Sequence, residues 1–313
     1  MPDPSARSMV RERRVLVTGA SGFLGTHLVR RLAVLGAETH AVSRRAAPPD
    51  PRWTAHTADL SDPDATAEVV RSVRPDVVCH LAGEVTGARG VDAVPPTLTN
   101  NVTSTVNLLH AATLTGAPRI VLAGSMEEPR PGERASSPYA LSKSIAARYG
   151  ELFGDLWSVP VVRLRIAMAY GPGQSDERKL IPHVVTSLLR GVEPELTSGT
   201  RQIDWVYVDD VVDAFVAAAS VPDAVGTAID IGSGVALDIH TTVELLRGLV
   251  GTDLEPRFGA LPDRPLDSAR IANLSTARDV LGWRPSVRLA DGLNRTVTWY
   301  RERSRQQPQR VGQ

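Results

Sequence analysis

The first half of the chain alternates short apolar runs, rich in β-branched residues, with longer stretches of helical periodicity. The short runs predict buried strands, and the longer stretches predict helices that bury one face. Strands separated by helices of about 10–15 residues are typical of right-handed βαβ crossovers, so the pattern predicts an α/β fold with a doubly wound parallel sheet. The predicted strands are 14–18, 39–43, 53–58, 76–81, 120–123 and 159–167, and the predicted helices are 23–35, 64–73, 97–115 and 139–153.

The regular alternation of apolar runs and helical stretches ends after Gly171-Pro172-Gly173. We therefore predict one domain over 14–170 and, mainly over 171–305, a smaller and partly discontinuous C-terminal domain. A segment near 228–231 is expected to return to the first sheet. Residues 1–13 are expected to form a flexible N-terminal arm, and residues 306–313 a disordered tail.

Composition excludes several classes of protein. The 35 basic and 35 acidic side chains balance, so no net charge steers the surface toward nucleic acid or anionic lipid. The single cysteine, Cys79, excludes an internal disulfide framework or a thiolate metal cluster, and no metal site is expected. The apolar stretches are shorter than the roughly 18 residues that cross a bilayer, and no secretory signal precedes the first strand. We expect a cytoplasmic protein with no nucleic-acid or membrane partner.

A glycine-rich turn, TGASGFLG at 18–25, joins the first predicted strand to the first predicted helix. Glycine at 19 permits a tight turn, at 22 it allows backbone N–H groups to approach a pyrophosphate, and at 25 it allows close packing of helix on strand. The helix N-terminus adds positive potential for the anion. A structural turn is the alternative, but the context predicts that 14–170 is a Rossmann-like dinucleotide-binding domain. The expected contacts are Gly19, Ser21, Gly22, Phe23, Leu24 and Gly25.

The end of the second predicted strand, VSRR at 42–45, bears on which dinucleotide is bound. An acid there would accept the ribose hydroxyls of NAD, whereas arginine suits the 2′-phosphate of NADP. No acid follows until Asp50, so Ser43 and Arg44 favour NADP(H) over NAD(H), with solvated loop arginines as the alternative. Two interpretations are also open for Asp59, beside Leu60: a contact to the adenine amino group, or an acid-rich helix start.

Tyr139 and Lys143 stand four residues apart at the start of a predicted helix, which places them one turn apart on one face. A nearby ammonium favours the phenolate, and so we expect Lys143 to bring the tyrosine pKa toward the working range. Ser125 ends a predicted strand at the sheet edge where such folds bind ligands, and its hydroxyl could bond to a substrate oxygen. The alternative for Tyr139 and Lys143 is a surface pair.

These motifs resemble those of extended short-chain dehydrogenases/reductases of the NAD-dependent epimerase/dehydratase group, which act on nucleotide sugars. The resemblance covers nearly the whole chain: TGASGFLG, HLAG at 80–83, NVTSTVNLLHAA at 101–112, PYALSK at 138–143, AYGPG at 169–173, DWVYVDDVVDA at 204–214 and ARDVLGWRP at 277–285. It implies that Tyr139 is the general acid/base, that Lys143 orients the nicotinamide ribose and that Ser125 polarises the substrate oxygen. It also implies that Leu81, Ala82 and Gly83 line the cofactor cleft and that Tyr139 and Lys143 contact the cofactor. The second domain is then expected to bind the substrate. A homodimer is expected to form through a four-helix bundle of the helices near 101–115 and 139–153.

Three departures from the group's patterns bear on the reaction. The Asp-Glu pair of its 4,6-dehydratases is replaced by Met126-Glu127, and EPRPG at 128–132 replaces the segment ending in Val-Tyr-Gly. Arg44 in turn implies exchangeable NADPH, whereas the group's epimerases retain NAD. We therefore expect an NADPH-dependent reductase of a nucleotide-activated keto sugar, specifically a 4-ketoreductase of a nucleoside-diphosphate 4-keto-6-deoxyhexose. The alternatives are an NAD-retaining nucleotide-sugar epimerase and, from another class, a non-catalytic NADP-binding sensor or scaffold.

The substrate diphosphate needs cations. The group's arginine before the aspartate of the DWVYVDD segment is replaced by Ile203, so Arg201 is the nearest substitute, and Arg264 matches a second phosphate-binding arginine. Glu127 could flank the sugar. Solvated surface side chains are the alternative for all three.

Overall fold

The computed structural model describes residues 10–46 and 50–306. The strands are β1 (Arg14–Thr18), β2 (Glu38–Ser43), β3 (Thr54–Thr57), β4 (Val77–His80), β5 (Arg119–Ser125), β6 (Val161–Ile166), β7 (Met168–Tyr170), β8 (Gln202–Tyr207), β9 (Ala228–Ile231) and β10 (Ala236–Asp238). The α-helices are α1 (Phe23–Leu35), α2 (Pro63–Val73), α3 (Val94–Thr97), α4 (Ser104–Leu114), α5 (Pro138–Trp157), α6 (Leu180–Leu189), α7 (Val208–Ala218), α8 (Ile239–Val250), α9 (Ser275–Leu281) and α10 (Leu289–Gln306).

A parallel sheet carries the predicted doubly wound topology, which is thereby confirmed. Its order is β3-β2-β1-β4-β5-β6-β9, with parallel pairing throughout. The chain moves outward through β1, β2 and β3, then returns to the other side of β1 through β4, β5 and β6. The direction therefore switches between β1 and β4, where folds of this class bind ligands beyond the carboxyl ends of the strands.

The sheet and its helices bury a continuous apolar core. Leu16, Val78 and Ile120 on neighbouring strands are fully buried, and Val70 of α2 and Leu108 of α4 pack into the same cluster. Buried central strands of this kind explain the near-continuous apolar runs in the sequence.

Helix ends follow local capping chemistry. Asp62 caps α2 by accepting hydrogen bonds from the amides of Asp64 and Ala65, with Pro63 in the first turn. Ser137 caps α5 in the same manner through the amide of Ala140. The start of α5 is the position that fixes the predicted catalytic side chains.

The chain forms two compact units. Within the described residues, the first contains 10–166, Val211–Ile231 and Asn273–Arg284, and the second contains Ala167–Asp210, Gly232–Ala272 and 285–306. Strand β9 lies in the first unit, at the segment expected to return to the sheet. Residues 273–284 differ from the predicted boundary, because α9 packs on β9 and the amide of Asn273 donates to Asp230.

The predicted terminal segments fall mostly outside the described residues. Residues 1–9 of the expected arm and 307–313 of the expected tail are not described. Residues 10–13 differ from the expectation of a flexible arm, because Val10 is fully buried and the amide of Glu12 donates to the carbonyl of Gly36.

The second unit contains a three-stranded sheet in the order β10-β8-β7. Asp204 on β8 is buried and accepts hydrogen bonds from the amides of Ser233, Gly234 and Ala272 and from the Ser233 hydroxyl. Its carboxylate therefore ties three segments of this unit together. Across the residues described, no helix has the length and apolar character that a membrane crossing requires.

Candidate active site

The glycine turn between β1 and α1 is shaped by close approaches that exclude side chains. Gly19 has φ +67°, and a Cβ atom there would lie 2.7 Å from the amide nitrogen of Ala82. A Cβ atom on Gly25 would overlap the carbonyl oxygen of Gly19, so α1 packs directly on the turn. The amide of Gly22 donates to the same carbonyl at 2.9 Å and closes the turn. These contacts fit the roles expected for Gly19 and Gly25.

The start of α1 has the chemistry of an anion site. Its N-cap, Gly22, has no side chain to engage the first N–H groups, and the sequence of the first turn contains no acid. The N–H groups of a first helical turn lack partners within the helix and carry partial positive charge. The backbone of Ser21, Phe23 and Leu24 thus fits a dinucleotide pyrophosphate.

The loop after β4 lies against this turn. The amides of Leu81 and Ala82 donate to the carbonyl and the hydroxyl of Thr18 at the end of β1. A Cβ atom on Gly83 would lie 3.5 Å from the Lys143 ammonium, so the loop also borders the start of α5. The structure therefore brings Leu81–Gly83 to the same sheet edge as the glycine turn.

Ser125, Tyr139 and Lys143 come together at the carboxyl end of β5. Ser125 ends the strand, and its side chain is hydrogen-bonded to the Tyr139 hydroxyl. One turn further along α5, the Lys143 ammonium donates to the carbonyl of Ala123 at 2.9 Å. All three side chains are buried. They form an assembled constellation rather than a surface pair.

The ionisation of the tyrosine corrects the expectation from sequence. The pKa of Tyr139 is raised above its ordinary value of 10, because burial outweighs the hydrogen bond with Ser125, and Glu127 and Glu128 act in the same direction as burial. The pKa of Lys143 is lowered to about 8 by burial, which the charge of Glu128 opposes. Around neutral pH the phenol is therefore protonated and the ammonium is close to its titration range.

The predicted helix 97–115 is interrupted at the site. Residues Leu98–Thr103 form a π-helical turn ahead of α4. The buried side chain of Asn101 accepts from the amide of Glu84 at 2.7 Å and donates to its carbonyl and to the Ser142 hydroxyl. Asn101 thus joins the loop after β4 to the residue preceding Lys143. A buried asparagine within an apolar helix is the signal that sequence reasoning passed over.

The end of β2 carries the residues expected to select the coenzyme. The Arg44 side chain is exposed and reaches Asn100 at 3.4 Å, and its charge contributes to lowering the pKa of Asp59. The Ser43 hydroxyl donates to the carbonyl of Arg45 at 2.6 Å. The Ser43 hydroxyl therefore stabilises the turn that presents Arg44.

Asp59 and Leu60 follow β3 at the same edge of the sheet. The Asp59 carboxylate accepts the amide and the hydroxyl of Ser61, which are the main causes of its lowered pKa. Leu60 is buried in the core, and its carbonyl accepts from Asn107. The helix cap is Asp62, so Asp59 remains an exposed carboxylate near the end of β2.

The expected substrate arginines lie in the second unit. Arg201, beside the buried Ile203 of β8, forms an ion pair with Asp267 at 2.8 Å. Arg264 is exposed in the loop that supplies this aspartate. The remaining candidate, Glu127, lies in the first unit near the Tyr139 phenol. Among the described residues, no three His, Cys, Asp or Glu side chains are grouped to hold a metal ion.

Relatives of the chain are nucleotide-sugar enzymes. A UDP-glucose 4-epimerase of Mycolicibacterium smegmatis is 33% identical over 93% of this chain and 99% of that protein. A dTDP-glucose 4,6-dehydratase of Streptomyces griseus is 31% identical over 91% of this chain and 93% of that protein.

Solved structures agree in fold over nearly the whole chain. The UDP-glucose 4-epimerase of Thermotoga maritima, solved with UDP-glucose, superposes with a TM-score of 0.85 at 26% identity, covering 93% of this chain and 99% of that chain. MoeE5, solved with UDP-glucuronic acid and NAD, gives a TM-score of 0.83 at 30% identity with the same coverage.

The family assignment follows from the extent of these matches together with the assembled site. The model of the NAD dependent epimerase/dehydratase family matches residues 15–232, which include the glycine turn, Ser125, Tyr139 and Lys143. Its relatives are NAD-dependent epimerases and dehydratases, which are oxidoreductase-type enzymes of the extended short-chain dehydrogenase/reductase class. This chain belongs to the NAD-dependent epimerase/dehydratase family of nucleotide-sugar enzymes.

Proposed function

We propose that this enzyme reduces the keto group of a nucleotide-activated sugar with NADPH, most specifically the 4-keto group of a nucleoside-diphosphate 4-keto-6-deoxyhexose. The observation that carries the proposal is the buried phenol of Tyr139, hydrogen-bonded to Ser125 and one helical turn from Lys143, at the sheet edge that also carries the glycine turn. Ser125 would bind the ketone oxygen, and Tyr139 would give that oxygen its proton. Lys143 would hold the nicotinamide ribose and electrostatically support the loss of the phenolic proton. A bound dihydronicotinamide supplies the hydride to the carbon.

Two features favour net reduction of the sugar over its dehydration or over an epimerisation in which the bound coenzyme is regenerated. Met126 occupies the position after Ser125 where the family's dehydratases have an aspartic acid, and a thioether cannot protonate a leaving hydroxyl. Arg44 at the end of β2 suits the 2′-phosphate of NADPH. The placement of Arg201 next to the Arg264 loop supports a role for both in binding the substrate diphosphate.

A second candidate is an NAD-retaining nucleotide-sugar epimerase. It is favoured by the relatives, since a UDP-glucose 4-epimerase matches 93% of the chain and the solved structure of MoeE5 contains NAD. The coenzyme retained by the purified protein separates the two candidates. Bound NAD(H), together with interconversion of UDP-glucose and UDP-galactose without added coenzyme, would identify the epimerase and refute the reductase.

The direct test of the reductase is NADPH oxidation with a panel of nucleoside-diphosphate 4-keto-6-deoxyhexoses, with NADH for comparison. Tyr139→Phe is expected to lower kcat by about 100-fold or more while leaving NADPH affinity unchanged. Tyr149→Phe is the matched control, because Tyr149 is an exposed tyrosine on the same helix. Full turnover in Tyr139→Phe would exclude this chemistry, and NADPH binding without turnover of any keto sugar would favour a sensor or scaffold.

We also infer that two copies pair through α4 and α5. Leu141, Tyr149, Leu152 and Leu156 recur at helical spacing along one face of α5 and are all exposed, Leu156 by 63%. Leu114 at the end of α4 is 71% exposed. A second copy of the same face would cover these side chains in a four-helix bundle.

A further inference from the structure

The turn after β5 contains a buried acid that the proposed chemistry does not use. Glu128 is 8% exposed, and its Oε1 accepts the backbone N–H of Ser125 at 2.7 Å. The amide of Glu128 donates to the Ser125 carbonyl at 3.2 Å, and the amide of Glu127 donates to the Ser125 hydroxyl oxygen at 3.1 Å. The carboxylate therefore closes a clamp around the main chain of Ser125.

Strand β5 has a glycine, Gly124, at the position where the Glu128 carboxylate lies. A Cβ atom on Gly124 would lie 2.7 Å from Glu128 Oε1 and 3.2 Å from Arg163 Cγ. Glycine inside a buried strand weakens it unless another group needs the space. At Gly124 that group is the Glu128 carboxylate, so the two residues are matched.

The carboxylate faces positive groups on two elements. On β6, Arg163 Nη1 lies 3.6 Å from Glu128 Oε2 and 3.4 Å from Glu151, while Arg165 is paired with Asp230 of β9 at 2.6 Å. On α5, Lys143 is the other cation whose charge acts on Glu128.

A cavity of about 10 Å³, close to the smallest that holds one water, is lined by Lys143, Arg163 and Gly124 among others. Lys143 and Arg163 thus line one cavity beside Gly124, the residue that precedes Ser125. The acids whose charges raise the pKa of the Tyr139 phenol are Glu127 and Glu128.

We propose that Glu128 is a positioning residue of this site, which fixes the backbone of Ser125 and places a buried carboxylate among the cations around it. A buried charge is tolerated only when it is paired and hydrogen-bonded. Burial raises the pKa of Glu128, and the hydrogen bond from the Ser125 amide and the charge of Arg163 oppose that rise. The inference rests on the proposed function for the meaning of Lys143 and Ser125, but its physical content is independent of turnover.

Burial and the charge of Glu128 change the pKa of Lys143 in opposite directions. Burial lowers the pKa of Lys143 to about 8, and the negative charge of Glu128 raises it. Without that charge, the ammonium would lose its proton at a lower pH. A substantial part of the enzyme would then lack the Lys143 cation at pH 7.

The chain offers a direct measurement, because Lys143 and Lys179 are its only lysines. In protein labelled at lysine Cε with ¹³C, NMR titration gives two resonances, and Lys179→Arg assigns them. In Glu128→Gln, which keeps a hydrogen-bond acceptor but removes the charge, the titration midpoint of Lys143 is expected to fall by about one pH unit. An unchanged midpoint would overturn the proposal.

Glu151→Gln is the matched control. Glu151 contributes a negative charge to the same Arg163, but it lies on α5 and is more exposed than Glu128. Its substitution is expected to leave the Lys143 midpoint within about 0.3 pH unit, since an exposed charge is screened by solvent. Equal shifts in the two variants would show a general charge effect and refute a specific role for Glu128.

Measurements of turnover distinguish the hydrogen bonds between Glu128 and Ser125 from the effect of the Glu128 charge on Lys143. Glu128→Val removes both and is expected to lower kcat at least about 10-fold with the NADPH KM unchanged, because Ser125 loses its fixed position. Glu128→Gln should restore most of kcat near pH 6.5 but not the Lys143 midpoint. Wild-type kcat in Glu128→Val would refute the positioning role. If Tyr139→Phe retained activity while the Lys143 midpoint still fell in Glu128→Gln, the proposed function would fail and the charge relation would stand.

Discussion

Replacing Gly25 by alanine tests how the turn and α1 are built. The added Cβ atom would overlap the carbonyl oxygen of Gly19 and lie 2.8 Å from its carbonyl carbon and 2.9 Å from Ala20 Cα. All three atoms are backbone, so the turn must open by roughly 1 Å. Overpacking of this kind costs about 1–3 kcal/mol, and the helix preference of alanine returns about 0.5–1 kcal/mol. We expect a net loss of about 1–2 kcal/mol in the free energy of unfolding.

Gly154→Ala is the control for Gly25→Ala. Gly154 also lies in a helix of the first unit, but a Cβ atom there would have its nearest neighbour, the carbonyl oxygen of Val159, at 3.6 Å. This variant is expected to gain about 0.5–1 kcal/mol. Urea unfolding measures both, and NADPH fluorescence titration should show affinity at least about 10-fold weaker for Gly25→Ala alone. Equal stabilisation of both variants, with unchanged NADPH binding, would refute the close packing of α1 on the turn.

Three further predictions use charge, pH and association. Arg44→Ala should raise the KM for NADPH by about 10- to 100-fold and change the KM for NADH little. Arg45→Ala is the control and should change neither KM greatly. Equal effects of Arg44→Ala on both coenzymes would exclude Arg44 as the 2′-phosphate ligand. The pKa of His80, buried between two threonines, is lowered to about 3, so the unfolded chain binds a proton below pH 6.5 that the folded protein does not. Urea unfolding should therefore show about 1.6 kcal/mol lost to His80 between pH 6.5 and 5, and His80→Gln should remove that part of the slope. Sedimentation should show monomers when Leu152 and Leu156 are both replaced by aspartate, and an unchanged mass would exclude the α4–α5 face as the interface.

The architecture of the first unit could be predicted because its determinants are local and periodic. The alternation of apolar runs and helices implied parallel pairing, and TGASGFLG located the start of α1. The pair Tyr139 and Lys143 could be placed on one face from spacing alone, and the position of Ser125 followed from the carboxyl end of β5. Each of these inferences needs only the geometry of one element or of one crossover.

What the sequence did not reveal depends on contacts between distant segments. Asn101 bridges Glu84 and Ser142, so its position combines a loop, a π-helical turn and α5. The fit of Glu128 is likewise decided by Gly124 and by Arg163 on the neighbouring strand. Periodicity reports which face of an element is apolar, but it contains no information about which polar groups meet across elements.

The raised pKa of Tyr139 also bears on the direction of the reaction. Reduction of a ketone needs a proton donor, whereas the first oxidation in an epimerase needs a proton acceptor. Burial keeps the phenol protonated, and Lys143 titrates at about 8. We therefore expect kcat for keto-sugar reduction to be level between about pH 6 and 7 and to fall above about pH 8, as Lys143 loses its proton. The reverse oxidation, measured with NADP⁺, should gain little from higher pH in this range, because loss of the Lys143 charge makes the Tyr139 phenol harder to deprotonate. A reduction rate that rose from pH 6 to 9 would mean that the phenolate, and not the phenol, is the working form, and would favour the epimerase.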